Sequence, residues 1–328
     1  MSAKSSNYRT AESVSPGHPD KLCDQISDAI LDAYLAKDSQ ARVAVEVCGG
    51  HGTVFLTGEV SSSAQVDVAP IVQRLAGSVE IIEKIDKQSA EIARGVDAGG
   101  AGDQGIMVGF ACDETPEFLP LEVVLARRLN QFLYEKWPFD GKTQVTVKDG
   151  EIVAIVASFQ HAPNTELTEA VRDWLRLQNY TKSKKSSAPK LHINPAGDWE
   201  SGGFAADAGL TGRKLVVDNY GPRIPIGGGA FSGKDATKVD RSAAYMARRI
   251  AVDYLRKFGA HEVYCYLAYA IGYEQPIEVT AIVDGEAKAV EGYDLSPRGI
   301  IAALNLTEPQ FEQTARYGHF GHGFAWDD

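Results

Sequence analysis

Cysteine is scarce in this sequence. Four stand in 328 residues, at positions 23, 48, 112 and 265, with no CxxC pair. That spacing excludes a zinc ribbon or knuckle and a dense disulfide framework. Long apolar runs are missing too: nowhere do about 18 apolar residues stand together, so no helical membrane span is expected. The opening residues, MSAKSSNYRTAESVSPG, lack an apolar core of signal-peptide length. An excess of positive charge is the third absence, since 33 Lys and Arg face 44 Asp and Glu, for a formal charge of −11. Such a surface repels phosphate backbones and anionic lipids, which speaks against nucleic-acid and membrane partners. A soluble, reduced, cytoplasmic protein is the expectation. Any anionic ligand must then be met by a local cluster of Lys and Arg.

What is present is a globular balance, 44% hydrophobic and 23% charged, in a chain long enough for two domains or three small ones. A supersecondary unit repeats along it. Leu22, Ile26, Ile30 and Ala33 predict a helix over Asp20–Lys37, followed by strands Ala41–Val47 and Thr53–Val60 around Gly49-Gly50-His51-Gly52. A second helix is predicted from Thr115-Pro116-Glu117, with Leu121, Leu125, Leu129 and Phe132 inward, ending before Pro138. Strands Thr143–Val147 and Glu151–Ser158 follow, joined by the Asp149-Gly150 turn. A third helix is predicted over Thr237–Phe258, with Ala243, Ala247, Ile250 and Tyr254 inward and Gly259 as its cap, then strands Val263–Ile271 and Ile277–Val283. Further helical stretches are expected at Asp67–Lys87, Thr165–Gln178 and Ser296–Leu304, and a strand at Leu215–Asp218. The basic, Ser-rich run Tyr180–Lys190 reads as a solvated loop. An α+β fold follows, with three similar domains of helices packed on a small mixed sheet, at about residues 1–96, 97–200 and 201–328.

Polar residues gather in four glycine-marked segments. Ser15-Pro16-Gly17-His18-Pro19-Asp20-Lys21 precedes the first helix; Asp20 either holds Mg²⁺ beside a phosphate or is only the helix cap, and His18 is a hydrogen-bond donor. Gly99–Gly105 carries Asp103 among four glycines and reads either as backbone passing close to a ligand or as a mobile turn, and residues 88–103 read as a lid over a pocket. Asp207–Lys214 sets Arg213 and Lys214 beside two glycines, as a phosphate contact or as exposed bases. Gly227–Asp235 satisfies G-x-x-x-x-G-K from Gly228 to Lys234. Asp235 stands where a P-loop needs Ser or Thr, so a polyphosphate cradle of another kind is the reading. Lys234, Lys238 and Arg241 at i, i+4, i+7 would share one helical face, the required cationic island, or a solvated one. His319 and His322 lack partners for a metal set and read as structural.

These segments, in this order, resemble S-adenosylmethionine synthetase. The matching stretches are ESVSPGHPDK with DQISDAILDA, GAGDQG, GLTGRK, GGGAFSGKDATKVDRSAAY, YAIG and YGHFG, running from about Thr10 to Trp326. The resemblance implies the same three-domain α+β fold and the joining of ATP and L-methionine. The methionine sulfur would attack C5′ and expel the triphosphate, which is then hydrolysed to phosphate and pyrophosphate. It implies a catalytic set of His18, Lys142, Arg213, Lys234, Lys238 and Asp103. Of these, His18 would lie near the ribose oxygen and triphosphate, while Lys142, Arg213, Lys234 and Lys238 grip the phosphates. Asp140, Asp198, Trp199, Asp207, Lys214 and Ala230 would complete the ATP contacts, and Trp199 would stack on adenine. Glu59, Gln88 and Asp103 would hold methionine, bordered by Asp207, Lys238 and Ile271. It further implies two Mg²⁺ ions per site, on Asp20 and Asp240, a K⁺ ion by Glu46, and a homodimer or dimer of dimers that shares its active sites.

The sequence departs from the family pattern in several places. The stretches from Glu59 to Gln88 and from Gln88 to Asp103 are short, and the tail ends soon after Trp326. Pro16 replaces an acidic residue, Phe110 follows Gly109 where Tyr is usual, and Phe159 interrupts the usual Ser-Thr-Gln-His. Because the polar site residues remain, an active enzyme is expected. Rival readings are an adenosyltransferase acting on a methionine analogue, a P-loop-like kinase or NTPase, and a non-catalytic nucleotide-binding subunit.

Overall fold

A computed structural model describes residues 8–88, 99–178 and 188–328. The elements run β1 (Tyr8–Val14), α1 (Pro19–Leu35), β2 (Arg42–Gly50), β3 (Thr53–Ser61), α2 (Ala69–Ala76), β4 (Glu80–Lys87) and β5 (Gly105–Cys112). Then come α3 (Leu121–Lys136), β6 (Gly141–Lys148), β7 (Glu151–Phe159), α4 (Asn164–Leu177), β8 (Lys190–Ile193) and β9 (Gly209–Leu210). The last third holds α5 (Leu215–Asp218), α6 (Val239–Phe258), β10 (Glu262–Tyr269), β11 (Glu278–Val283), β12 (Glu286–Lys288), α7 (Pro297–Ala303) and α8 (Phe311–Tyr317).

The helix-then-hairpin unit occurs three times, as α1-β2-β3, α3-β6-β7 and α6-β10-β11, each hairpin seated in its own four-stranded sheet. The sheets are ordered β4-β3-β2-β9, β1-β6-β7-β8 and β12-β11-β10-β5. In each, the strand beside the hairpin's first arm comes from elsewhere in the chain. Strand β1 joins the second unit, β5 the third, and β9 returns to the first, all antiparallel. This cyclic exchange ties the units together. The first and third share one core, built from Ile26, Ile30, Val45, Phe110, Tyr245 and Trp326 among others, while Leu125, Leu129, Ile155, Phe159 and Trp174 form the core of the second.

Three expected elements differ from the structure. The helix predicted over Asp67–Lys87 stops at Ala76, where Gly77 turns at φ 74°, and Glu80–Lys87 forms β4, parallel to β3. Gly77 breaks the helix, and the Val79, Ile81, Ile82, Ile85 run that follows favours a strand. The second helix begins at Leu121, not Thr115: Pro120 disfavours a helical residue before it, and the Thr115 hydroxyl instead bonds Leu119 N and O. Leu215–Asp218 is a short helix, since four residues are too few for periodicity to tell helix from strand. The third helix starts at Val239, two residues after the expected Thr237, and ends on Gly259 at φ 60°, the expected cap. Of the basic run Tyr180–Lys190, residues 180–187 lie outside the described residues and Lys190 opens β8. All four cysteines are free thiols, three of them buried. Among the described residues, no helix is long and apolar enough to cross a membrane.

Candidate active site

His18, not Asp20, is the N-cap of α1, its Nδ1 accepting the Asp20 amide at 3.2 Å. A ring nitrogen that accepts carries no proton, so the proton resides on Nε2, which remains a donor. Burial pushes the His18 pKa down to about 4, helped by Lys214 and Lys142 and opposed by Asp20 and Asp207. The imidazole is therefore neutral at pH 7. Asp20 is fully buried and accepts Leu210 N (3.0 Å), Arg213 Nε (2.7 Å) and the Lys214 ammonium. Burial works to raise the Asp20 pKa, but Lys214 and the Leu210 amide outweigh it and hold the carboxyl below its ordinary value. Gly209 permits this approach, because a Cβ there would lie 2.1 Å from the Pro19 carbonyl oxygen. Asp140 joins the group by accepting Gly203 N at 3.0 Å, and burial raises its pKa. Lys142 is half exposed, 3.8 Å from Glu12.

A second group forms around the glycine loop. Lys234 Nζ pairs with Asp240 Oδ2 at 2.7 Å, and Gly229 N donates to Asp240 Oδ1 at 3.2 Å. Lys238 pairs with Asp235, whose carboxylate also accepts Val43 N and Thr237 N. Gly105, two residues beyond Asp103, approaches the same carboxylate, a Cβ there standing 3.8 Å from Asp240 Oδ1. The segment 233–235 runs antiparallel beside β2, with Lys234 opposite Ala44. Gly233 is required there by its φ of 80° and because a Cβ would meet the Val45 oxygen at 1.9 Å.

The two groups flank one strand edge. Lys234 stands opposite Ala44 and Leu210 opposite Cys48, four residues apart, or about 13 Å along β2. Their loops touch: a Cβ on Gly212 would lie 2.3 Å from Ala230 Cβ. Because side chains alternate along a strand, Ala44, Glu46 and Cys48 share the face away from Val43, Val45 and Val47. Register adds Glu59 and Lys234 opposite Ala44 and Phe55 opposite Cys48. Glu46 is exposed there and Glu59 half-buried.

Other predicted residues are more dispersed. Asp103 and Asp207 are exposed, each accepting the next residue's amide. Trp199 is half-buried, and Ile271 is exposed beyond the end of β10. Asp198 fastens the start of α4, accepting Asn164 N and Asn194 Nδ2. Gln88 is buried just past the end of β4, its Oε1 without a hydrogen-bond partner among the described residues. The proposed lid over 88–103 falls largely on residues 89–98, outside the described residues.

The helical cationic face does not form. Lys234 lies in an extended segment five residues before α6, and Arg241 is fully buried on Asp28 rather than facing a ligand. The same placement removes the geometry of a P-loop, whose lysine sits at the start of the helix that follows. The i, i+4, i+7 spacing fails because the chain becomes helical only at Val239. His319 is buried against Tyr245, whose hydroxyl lies 2.9 Å from its Nδ1.

Neither Asp20 nor Asp240 belongs to a preformed cage: among the described residues, no group of three or more His, Cys, Asp or Glu converges. One carboxylate at each position fits an ion that arrives with a polyphosphate, since Mg²⁺ is commonly held by one or two carboxylates plus substrate oxygens. Sequence reasoning missed Asp24 and Asp28, which anchor these loops from behind, and Asp32, which fastens the start of α8. Their recurrence every fourth residue after Asp20 is the signal that reveals them.

Three family models match the chain in order. The S-adenosylmethionine synthetase N-terminal domain covers residues 6–98, the central domain 98–199 and the C-terminal domain 201–328. Fold and matches together define an ATP-binding transferase. More narrowly, the chain belongs to the S-adenosylmethionine synthetase family. Its activity is that of a methionine adenosyltransferase, with ATP and methionine as substrates, in a family that uses metal ions.

Proposed function

We propose that the enzyme transfers the adenosyl group in one displacement and then hydrolyses the tripolyphosphate it has released. The methionine sulfur forms a bond to C5′, the C5′–O5′ bond breaks, and its electron pair leaves with the triphosphate. A neutral thioether needs no general base, so the chemical burden falls on the leaving group's growing charge, which preorganised cations relieve. The observation that carries this reading is that Arg213, Lys214, Lys234 and Lys238 each rest on a carboxylate of the site, Asp20, Asp240 or Asp235. Such cations can exchange a carboxylate for a phosphate without leaving the pocket. His18 Nε2–H donates toward the ribose oxygen or the adjacent phosphate. Lys142 contributes a further charge from β6, Asp140, Asp198, Asp207, Trp199 and Ala230 border the nucleoside, and Glu59, Gln88, Asp103, Lys238 and Ile271 border methionine. Mg²⁺ on Asp20 and Asp240 would neutralise triphosphate charge, and K⁺ would sit by Glu46.

The same reading makes the enzyme a homodimer with shared sites, as a dimer or a dimer of dimers. Leu210, Cys48, Phe55 and Ile82 form a row of exposed side chains across all four strands of the first sheet. It lies on the face that carries Glu46, Glu59 and Lys234. A second copy covering that row would bury apolar surface and close the site. The test is incubation with ATP, Mg²⁺, K⁺ and methionine, with mass spectrometry of the products and mass photometry of the enzyme. The sulfonium product, with orthophosphate and pyrophosphate in equal amounts, is expected from a dimer or larger assembly. Formation of ADP, or release of intact tripolyphosphate as the final product, would overturn the scheme.

A further inference from the structure

Aspartates recur along α1 at positions 20, 24, 28 and 32. With 3.6 residues per turn, this spacing sets them on one slowly precessing stripe about 18 Å long. A solvated acidic stripe would leave its oxygens to water. Here Asp20, Asp24 and Asp28 are fully buried and Asp32 half-buried. Each accepts backbone N–H groups from the last third of the chain: Leu210 N on Asp20 (3.0 Å), Gly212 N on Asp24 (2.7 Å) and Gly233 N on Asp28 (2.8 Å). Asp32 takes Gln310, Phe311 and Glu312 N at 3.0, 3.0 and 2.9 Å. The stripe thus fastens in turn the Arg213 loop, the Lys234 segment and the start of α8.

The rung at Asp28 is the most elaborate. Arg241 lays both guanidinium nitrogens on its carboxylate, Nη1 at 2.7 Å and Nη2 at 2.8 Å, and Nη1 also donates to the Lys234 carbonyl at 3.0 Å. Asp28 therefore holds the amide of Gly233, and Arg241 the carbonyl of Lys234. From the far side Val45 N donates to the Gly233 carbonyl at 3.1 Å. Three backbone groups around one lysine are thus held by a single buried ion pair and a strand, and the Lys234 amide between them donates to the Phe231 carbonyl at 3.2 Å. Among the described residues, the side chain of Lys234 is held only by its contact with Asp240.

We propose that Asp28 and Arg241 are positioning residues for the phosphate-gripping lysine: the pair fixes the backbone from which Lys234 reaches the triphosphate. This rests on the reading of Lys234 as a phosphate contact, and the experiment separates the two. Turnover and KM for ATP are measured for Lys234→Ala, for Arg241→Lys (which keeps the charge but loses the fork) and for the double variant, with thermal melts of each. Lys234→Ala alone is expected to lower turnover at least about 100-fold, the scale of one preorganised contact. Arg241→Lys alone is expected to lower kcat/KM for ATP on the order of 100-fold, as a displacement of about 1 Å does. In the Lys234→Ala background the same change is expected to cost less than about threefold, because coupled residues are not additive. Equal losses in both backgrounds, or no loss from Arg241→Lys, would overturn the positioning role. Near-normal turnover of Lys234→Ala would instead sink the phosphate-contact reading itself. If Arg241→Lys does not fold, Asp28→Glu takes its place in the cycle. If neither folds, the pair is a folding element and the assignment falls.

Discussion

The charges at the mouth of the site and those one layer behind it are built from the same residue types and do different things. At the mouth, Lys214, Lys234 and Lys238 keep 16–19% of their side-chain surface exposed, and each ammonium rests on one carboxylate. Behind them, Lys21, Arg241 and Arg248 are at most 1% exposed, and each bonds two or more acceptors. Lys21 bonds both Asp24 and Asp218, and Arg248 bonds Asp327 and the carbonyls of Phe110, Phe118 and Glu117. Arg127 extends this layer without touching a carboxylate, donating to the carbonyls of Phe320, Val217, Asp218 and Asn219, and burial lowers its pKa to about 10. These buried cations spend their hydrogen bonds on acceptors inside the protein, although Arg127 Nε has no partner among the described residues, and burial closes them off from a ligand. A partly exposed cation on a single carboxylate can trade partners. Exposure and partner number thus sort charge for catalysis from charge for folding.

The contrast is sharpest in the inner layer, so the largest effect is expected there. Arg248→Met should cost about 3–5 kcal/mol of stability, because it removes the cation from buried Asp327, leaving it only the Gly321 and His322 amides among the described residues, and takes a donor from three interior carbonyls. Urea unfolding measures this directly, and a loss below 1 kcal/mol would erase the distinction. At the mouth, Lys214→Met should lower turnover about 100-fold while leaving the melting temperature close to wild type. A large drop in melting temperature with normal turnover would place Lys214 in the inner layer instead. The gentlest probe is pH. Burial holds His18 and His319 neutral, with the His18 pKa at about 4 against an ordinary 6.5, and the His319 pKa also far below its ordinary value. Between those two values His18 binds more protons in the unfolded chain than in the folded one. The contribution of His18 to stability should therefore fall as pH drops from about 6.5 toward about 4, against the opposite trend of Asp24 and Asp32, whose pKa values burial raises to about 7 and about 6. His18→Asn keeps a good helix cap and should make that slope shallower; an unchanged slope would show that His18 titrates normally.

Much of the fold is legible in the residues. Apolar spacing located α1 and α6, Asp149-Gly150 marked the second hairpin, and the threefold recurrence of helix and hairpin foretold three sheets. The misses have local causes. Gly77 and Pro120 end or delay helices that the apolar pattern alone would extend. At the site, the four glycine segments were legible, yet the use of their charges was not. Arg241 stands at helical spacing from two site lysines and still turns inward, because Asp28 waits there from α1. The period-four aspartates were in view as well, but on a helix whose apolar face already explained its burial.

Residue order alone decided the repeated unit, the glycine loops and the supply of cations for an acidic chain, since these depend on neighbours a few positions apart. Only the folded arrangement decided which strand completes which sheet and which cation faces outward. Those outcomes depend on groups about 200 residues apart in the chain, as Asp28 and Gly233 are, and no local pattern encodes who meets whom at that range.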